Sequence, residues 1–138
     1  MPELPPDEAI ARAAAALGSK EAAIALRVER PDQVDRDYYL VTFGPEAAAT
    51  AVAAVEAGSG VVMSTARLAG QRPHLTVSRQ RALEIAAAGT GADAKLVWQP
   101  GVASRSSLYP IWKVSGPAGT IYVDQQEQIW ADLSGARA

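Results

Sequence analysis

The stretch YPIWKVSGPAGTIYVDQQEQIW, residues 109–130, decides the fold. Its apolar and polar residues alternate in short runs, and turns rich in glycine, proline or glutamine separate the runs. A period of two is typical of strands, and connections this short join neighbouring antiparallel strands. The stretch and the residues just after it therefore predict three consecutive antiparallel strands, at 109–115, 120–124 and 128–133.

The residues before this stretch predict a helix and a further strand. Ser78 is placed to cap a helix that runs to about residue 88, and Gly89-Thr90-Gly91 would end it. Residues 94–99 then read as a strand, and 100–108 as a polar loop. A helix followed by hairpins predicts an α+β unit in which the helix packs on one face of the sheet.

The first half of the chain has the same order of elements. Apolar residues at helical spacing end at Leu17, before Gly18, and strand patterns follow at 23–30, 38–43 and 61–68. Four segments also recur in the same order, 68 to 73 positions apart. They are residues 9–14 with 82–87, 26–28 with 96–98, 44–45 with 116–117, and 53–56 with 121–124.

This repeat predicts an α+β fold of two similar units, each one helix packed on an antiparallel sheet of three to four strands. The units would span 1–68 and 78–138, joined by a linker at 69–77. The register of the repeat stays open at one place. Aligning the two Gly-Pro pairs sets Leu40 against Trp112, whereas matching apolar faces needs a shift of one residue, which reverses every side chain.

Residues 46–57 give conflicting signals. Their alanine content and the flanking Pro45 and Gly58 favour a helix, whereas the repeat favours a strand over residues 50–57. Val52 and Val55 do not recur often enough to form a helical stripe. We therefore predict a loop at 46–49 followed by a strand.

Residues with catalytic or metal-binding chemistry do not cluster in the sequence. The chain has no cysteine, and its one histidine, His74, stands among polar neighbours that suggest a solvated loop. Asp32, Asp35 and Asp37 alternate as calcium ligands do, but without the glycine and distal glutamate of a calcium loop, so a solvated turn is the preferred interpretation over a cation site. The sequence predicts no catalytic, metal or cofactor-binding residue, and an enzyme is disfavoured, a small hydrolase included.

The charge is small and unevenly distributed. The formal net charge is −2, which argues against a nucleic-acid partner. Residues 57–83 carry four arginines and no acidic residue. These arginines either lie on a solvated linker and helix face, which is the preferred interpretation, or attract an acidic partner or anionic head groups.

Five aromatic residues in the second half carry the most information. They either fill the core or, in part, anchor a partner, and one or two are expected to be partly exposed. They are Trp98, Tyr109, Trp112, Tyr122 and Trp130. The residues predicted to bind a partner are Tyr109, Trp112 and Trp130.

Three segments of the second half together resemble the PepSY domain family. They are the helix at 78–87, the strand at 109–114, and the Tyr-x-Val-Asp strand at 120–124 with Gln128-Ile129-Trp130 after it. The first half resembles the same unit at 7–17, 38–43 and 51–62. The second hairpin departs from the family in having Gln125-Gln126-Glu127 where a glycine turn is usual.

The resemblance implies a non-enzymatic binding or regulatory module whose protein partner is a peptidase. PepSY units occur in propeptides of thermolysin-like metallopeptidases and in cell-envelope proteins, so it also implies an extracytoplasmic location. The alternative is a structural protein of the cell envelope that self-associates, as a homodimer for example, or pairs by sheet edges. No apolar run is long enough to span a bilayer, and the acidic, proline-rich first residues are unlike an export signal, so the protein is either cytoplasmic or begins after a removed signal or anchor.

Overall fold

The computed structural model describes residues 3–87 and 89–134, which form two units divided between His74 and Leu75. The division lies inside the segment 69–77 that the sequence marks as a linker. In the described part of the chain each unit holds one α-helix and one four-stranded antiparallel sheet. The predicted α+β fold class, with one helix per sheet, is confirmed.

The first unit consists of helix α1 and strands β1 to β4. Their bounds are α1 Pro6–Leu17, β1 Ala23–Val28, β2 Tyr38–Phe43, β3 Ala51–Glu56 and β4 Val62–Arg67. The strands lie in the order β1-β2-β3-β4. Proline begins α1, two acidic residues occupy its first turn, and Gly18 ends it in the left-handed conformation at φ 64°.

Helix α1 packs on one face of its sheet through small side chains. Ala9, Ala13 and Leu17 contact a buried cluster of β2 and β3 residues. The cluster contains Tyr39, Val41, Phe43, Ala51, Ala53 and Val55. Alanine on both the helix and β3 lets the backbones approach closely, so the aromatic side chains of β2 fill the layer between them.

The conflict at residues 46–57 is resolved as a strand. A short 3₁₀-helix covers Glu46–Ala48, and β3 follows at Ala51–Glu56 with five of its six residues buried. Pairing with strands on both sides satisfies the backbone there, and this long-range pairing overrides the helical propensity of alanine.

The second unit consists of helix α2 and strands β5 to β8. Their bounds are α2 Arg79–Ala86, β5 Asp93–Val97, β6 Ile111–Gly116, β7 Gly119–Val123 and β8 Ile129–Trp130. The strands lie in the order β5-β6-β7-β8. The predicted Ser78 cap is confirmed, since its hydroxyl accepts a hydrogen bond from the Arg81 backbone N–H at 3.1 Å.

Several element ends differ from prediction, and α2 and β8 are two whose local geometry gives the reason. Helix α2 ends at Ala86, because Ala87 caps it in the left-handed conformation at φ 50°. Gly89 also has a positive φ, of 75°, but it lies two residues beyond this cap. Strand β8 is two residues long rather than six, because the Asp132 side chain accepts a hydrogen bond from the Ser134 N–H at 2.9 Å and turns the chain away from β7.

The two units share one strand register, which closes the question left by the sequence. Five of the six β2–β3 pairs correspond to the five β6–β7 pairs: Tyr39 with Val55 matches Trp112 with Val123, and Phe43 with Ala51 matches Gly116 with Gly119. Tyr39 and Trp112 are 73 positions apart, as are the buried residues Ala9 and Ala82 of the helices. The alignment on Gly-Pro pairs is therefore wrong by one residue, and so is the match of 26–28 with 96–98.

Equivalent hydrogen bonds support this register. The Tyr39 hydroxyl donates to the Leu4 carbonyl at 3.0 Å, two residues before α1 begins. The Trp112 indole N–H donates to the Val77 carbonyl at 2.7 Å, two residues before α2 begins. In both units an aromatic side chain of the second strand therefore fixes the start of the helix.

A backbone amide in one unit corresponds to a side-chain amide in the other. The Ala57 carbonyl accepts a bond from the Leu4 N–H at 2.8 Å, and the Ala57 N–H donates to the Asp37 carbonyl at 2.9 Å. In the second unit the Gln125 side chain makes both bonds: its oxygen accepts from the Val77 N–H at 2.9 Å, and its NH₂ donates to the Pro110 carbonyl at 3.2 Å.

Candidate functional site

The three residues predicted to bind a partner lie in different environments. Tyr109 is 44% exposed, whereas Trp112 and Trp130 are only 8% and 5% exposed. The expectation that one or two of the five aromatic residues are partly exposed is confirmed, since Tyr122 is half-buried as well. Only Tyr109 of the predicted three presents a large part of its ring at the surface.

Trp112 and Trp130 can be buried without an unsatisfied indole N–H, because each indole N–H has a hydrogen-bond partner. Trp112 lies on the helix face of its sheet, as its bond to the Val77 carbonyl shows. Trp130 donates to the Asp124 carboxylate at 2.9 Å. A buried indole needs such a partner, and both side chains therefore belong to the folded core of the unit.

Asp124 organises the turn between β7 and β8. One carboxylate oxygen accepts the backbone N–H groups of Gln126 and Gln128 at 2.8 and 2.9 Å, and the other accepts the Trp130 indole. The side chain is buried, so these three donors replace its water shell. Its role here is to close the turn rather than to offer a reactive carboxylate.

The loop between β5 and β6 is held in shape by its serines. The Ser104 hydroxyl lies 2.7 Å from the Tyr109 carbonyl oxygen, and the Ser106 hydroxyl accepts the Leu108 N–H at 3.2 Å. The Tyr109 N–H in turn donates to the Ser106 carbonyl at 3.0 Å. Tyr109 is therefore displayed from a loop whose backbone is already ordered, which lowers the entropy cost of binding through it.

A groove lies between this loop and the turn after β7. It has a volume of about 260 Å³, and its walls include Val102, Arg105 and Tyr109 on the loop and Gln125 and Gln126 on the turn. Val102 is 62% exposed, so an aliphatic and an aromatic side chain stand next to a guanidinium. The composition of residues 100–108 predicts only a polar loop, and the one signal of a groove there is Val102 among serines and glycine.

The groove is positive on its loop side. Arg105 is the only charged residue in the segment 99–110, and among the described residues it makes no ion pair. The carboxylate across the groove, Asp124, already accepts three hydrogen bonds. A ligand that brings its own carboxylate would therefore complement Arg105.

Three of the four arginines between residues 57 and 83 have partners within their units. Arg67 donates to the Leu17 carbonyl at the end of α1, at 2.7 Å. Arg79 pairs with Asp93 and lowers the pKa of that carboxyl, and Arg81 pairs with Glu127. These pairs support the interpretation of the run as ordinary surface rather than an anionic binding site.

The aspartates of the β1–β2 loop also have structural partners. Arg30 makes two bonds of 2.9 Å to Asp32, which lower the pKa of Asp32, and Asp37 accepts the Arg30 backbone N–H at 2.8 Å. Arg27 binds Glu3 and Asp37, and the hydrogen bond to Glu3 is the main reason that its pKa is raised. Residues 3–87 and 89–134 contain no group of three or more His, Asp or Glu residues placed to hold a metal ion.

His74 is not the exposed residue that its neighbours suggest. It is 7% exposed, because packing rather than the polarity of adjacent residues decides its burial.

Neither described helix is long and apolar enough to cross a bilayer.

Comparison of the chain with protein-family models, with curated proteins and with solved structures finds no match.

Proposed function

We propose that this protein is a non-enzymatic binding module that regulates a partner protein through the groove beside Tyr109. The observation that carries the proposal is the exposure of Tyr109 and Val102 next to Arg105 on an ordered loop. Tyrosine and arginine are enriched among the residues that anchor interfaces, and an exposed valine beside them adds apolar contact area.

The occupant we propose is an extended segment of the partner that carries a carboxylate. Arg105 supplies the complementary charge, and the ordered loop supplies an apolar wall for a neighbouring side chain. The resemblance to PepSY domains supports a peptidase as the partner. A propeptide-like segment that holds part of a peptidase would regulate it without any chemistry by this chain.

The test is inhibition of a panel of purified peptidases, thermolysin-like metallopeptidases included, by the intact chain and by groove variants. For any peptidase that is inhibited, we expect Tyr109→Ala and Arg105→Ala each to raise the inhibition constant by roughly tenfold or more, as loss of an interface anchor does. Val102→Ser tests the apolar wall. Val34→Ser is its matched control, because Val34 is an exposed valine of the other unit. Inhibition that is equally strong in all four variants, or no inhibition by the intact chain, would contradict the proposal.

A further inference from the structure

Strand β4 is the least protected of the four sheet edges that the structure describes. Sheet edges invite pairing with another strand unless charges, prolines, bulges or short length prevent it. Strand β5 carries Asp93 and Lys95, and β8 has only two residues. Strand β1 contains Arg27 and continues into Glu29 and Arg30, which already have interaction partners. Strand β4 carries its one charged residue, Arg67, at its last position, and residues 61–66 before it contain neither a charged residue nor a proline.

The outer backbone groups of β4 can be identified from the hydrogen-bond alternation. The Leu68 N–H, directly after β4, donates to the Thr50 carbonyl at 2.8 Å, so the Leu68 backbone N–H points towards β3. Ala66 and Ser64 follow at intervals of two and point the same way. Thr65 and Arg67 therefore direct their N–H and C=O groups away from β3, and no partner for them is found in the described part of the chain.

The side chains along this edge leave room for a strand. Thr65 and Arg67 are exposed, and the Arg67 guanidinium is drawn back onto the end of α1 by its bond to Leu17. The only irregularity is the bulge between Ser64 and Val62, where Met63 has no partner on β3. The regular edge therefore covers residues 64–68.

We propose that β4 pairs antiparallel with β4 of a second copy of this chain, centred on Ala66. In that register Thr65 forms a hydrogen-bonded pair with Arg67 of the other copy, and Ser64 lies opposite Leu68. The two arginines do not face each other, and threonine opposite a long side chain is compatible with cross-strand packing. The β1-β2-β3-β4 sheets of the two copies would then join into one sheet of eight strands.

The first test is the mass in solution. A five-residue strand pair buries less than the ~1,200 Å² of weak complexes, so we expect a dimer at protein concentrations of about 100 µM and above. Sedimentation equilibrium should show the mass rising from 14.4 kDa towards twice that value. Thr65→Pro removes an outward N–H and should keep the chain monomeric, whereas Thr65→Val keeps that N–H and should still dimerise. A chain that stays monomeric, or a dimer that Thr65→Pro leaves intact, would overturn the proposal.

The second test uses the absence of cysteine and does not depend on how well Thr65→Pro folds. Ala66→Cys places one thiol at the centre of the proposed pair, where side chains approach most closely. Under mild oxidation its disulfide-linked dimer should form at least about tenfold faster than that of Ala11→Cys, an exposed position on α1, because pairing raises the effective thiol concentration. Equal rates for the two variants would overturn the register.

These outcomes are separate from those of the groove. Tyr109→Ala should dimerise like the parent chain, and Thr65→Pro should still inhibit any peptidase that the parent inhibits. Loss of one property without the other identifies which of the two proposals fails.

Discussion

Gln125 is the residue whose substitution we expect to reveal most about the second unit. Its side-chain amide satisfies the Val77 N–H and the Pro110 carbonyl together, and both lie at the start of an element. Removing it leaves a donor and an acceptor without their protein partner, and an unsatisfied buried group costs more than the bond itself contributed.

Gln125→Ala should therefore lower the free energy of unfolding by about 2 kcal/mol. Gln126→Ala is the control, because Gln126 is exposed and uses only its backbone N–H, towards Asp124. Urea denaturation measures both variants. Equal stability of the two would show that solvent replaces the Gln125 bonds without loss.

The aromatic residues differ at the same scale. Trp112→Ala removes a buried side chain and should cost about 3–5 kcal/mol, whereas Tyr109→Ala should change the free energy of unfolding by less than about 0.5 kcal/mol. Thermal unfolding followed by circular dichroism tests both. A large loss of stability in Tyr109→Ala would make that ring a structural residue and weaken its proposed role in binding.

At the scale of elements, the β1–β2 loop depends on an ion pair. Asp32 has its pKa lowered, chiefly by the hydrogen bonds from Arg30, so the folded state favours its charged form. A group with a depressed pKa stabilises the folded state above its unfolded pKa, and this contribution is lost as the pH falls through the folded pKa.

Asp32→Asn should therefore lower stability at pH 7 by no more than about 1 kcal/mol, because the Asp32 carboxylate stays partly solvated although the Arg30 side chain is largely buried. The difference from the parent chain should shrink below pH 3.8, the ordinary value for the carboxyl, and vanish at lower pH. Asp35→Asn is the control in the same loop, because Asp35 has a positive φ of 70° that asparagine tolerates. Denaturant titrations at several pH values give the comparison, and a pH-independent difference would contradict the ion-pair explanation.

Most elements could be predicted from the sequence, but several of their ends could not. Strand β2 follows from its aromatic and β-branched residues, and its predicted bounds of 38–43 match the structure. The end of strand β8 could not be predicted in this way. The turn at Asp132 that shortens β8 is a contact between a side chain and the backbone, and such a contact leaves no periodic pattern in the sequence. The groove was missed for a similar reason: only the three-dimensional position of Gln125 and Gln126 brings them opposite Val102.

At the scale of the whole molecule, the arginines between residues 57 and 83 matter less than their number suggests. Arg67, Arg79 and Arg81 all have partners, and the net charge of the chain is −2. We expect no binding to vesicles that contain anionic lipid at physiological salt, since isolated surface cations there are screened. Co-sedimentation with such vesicles is the measurement. Binding that disappears in Arg72→Ala would show that this remaining arginine forms an anionic site.

The equivalent hydrogen bonds of Ala57 and Gln125 have a consequence for which substitutions each unit tolerates during evolution. Ala57 makes its two hydrogen bonds, to Leu4 and Asp37, with its backbone C=O and N–H, which every residue other than proline possesses. Any small side chain that fits at position 57 therefore preserves both bonds. Gln125 makes the equivalent two hydrogen bonds, to Val77 and Pro110, with its side-chain amide. Only glutamine carries an amide on a side chain of that length. The same geometry is therefore encoded robustly in one half and fragilely in the other. Sequences that diverge from this one should vary at 57 among small residues and stay nearly invariant at 125.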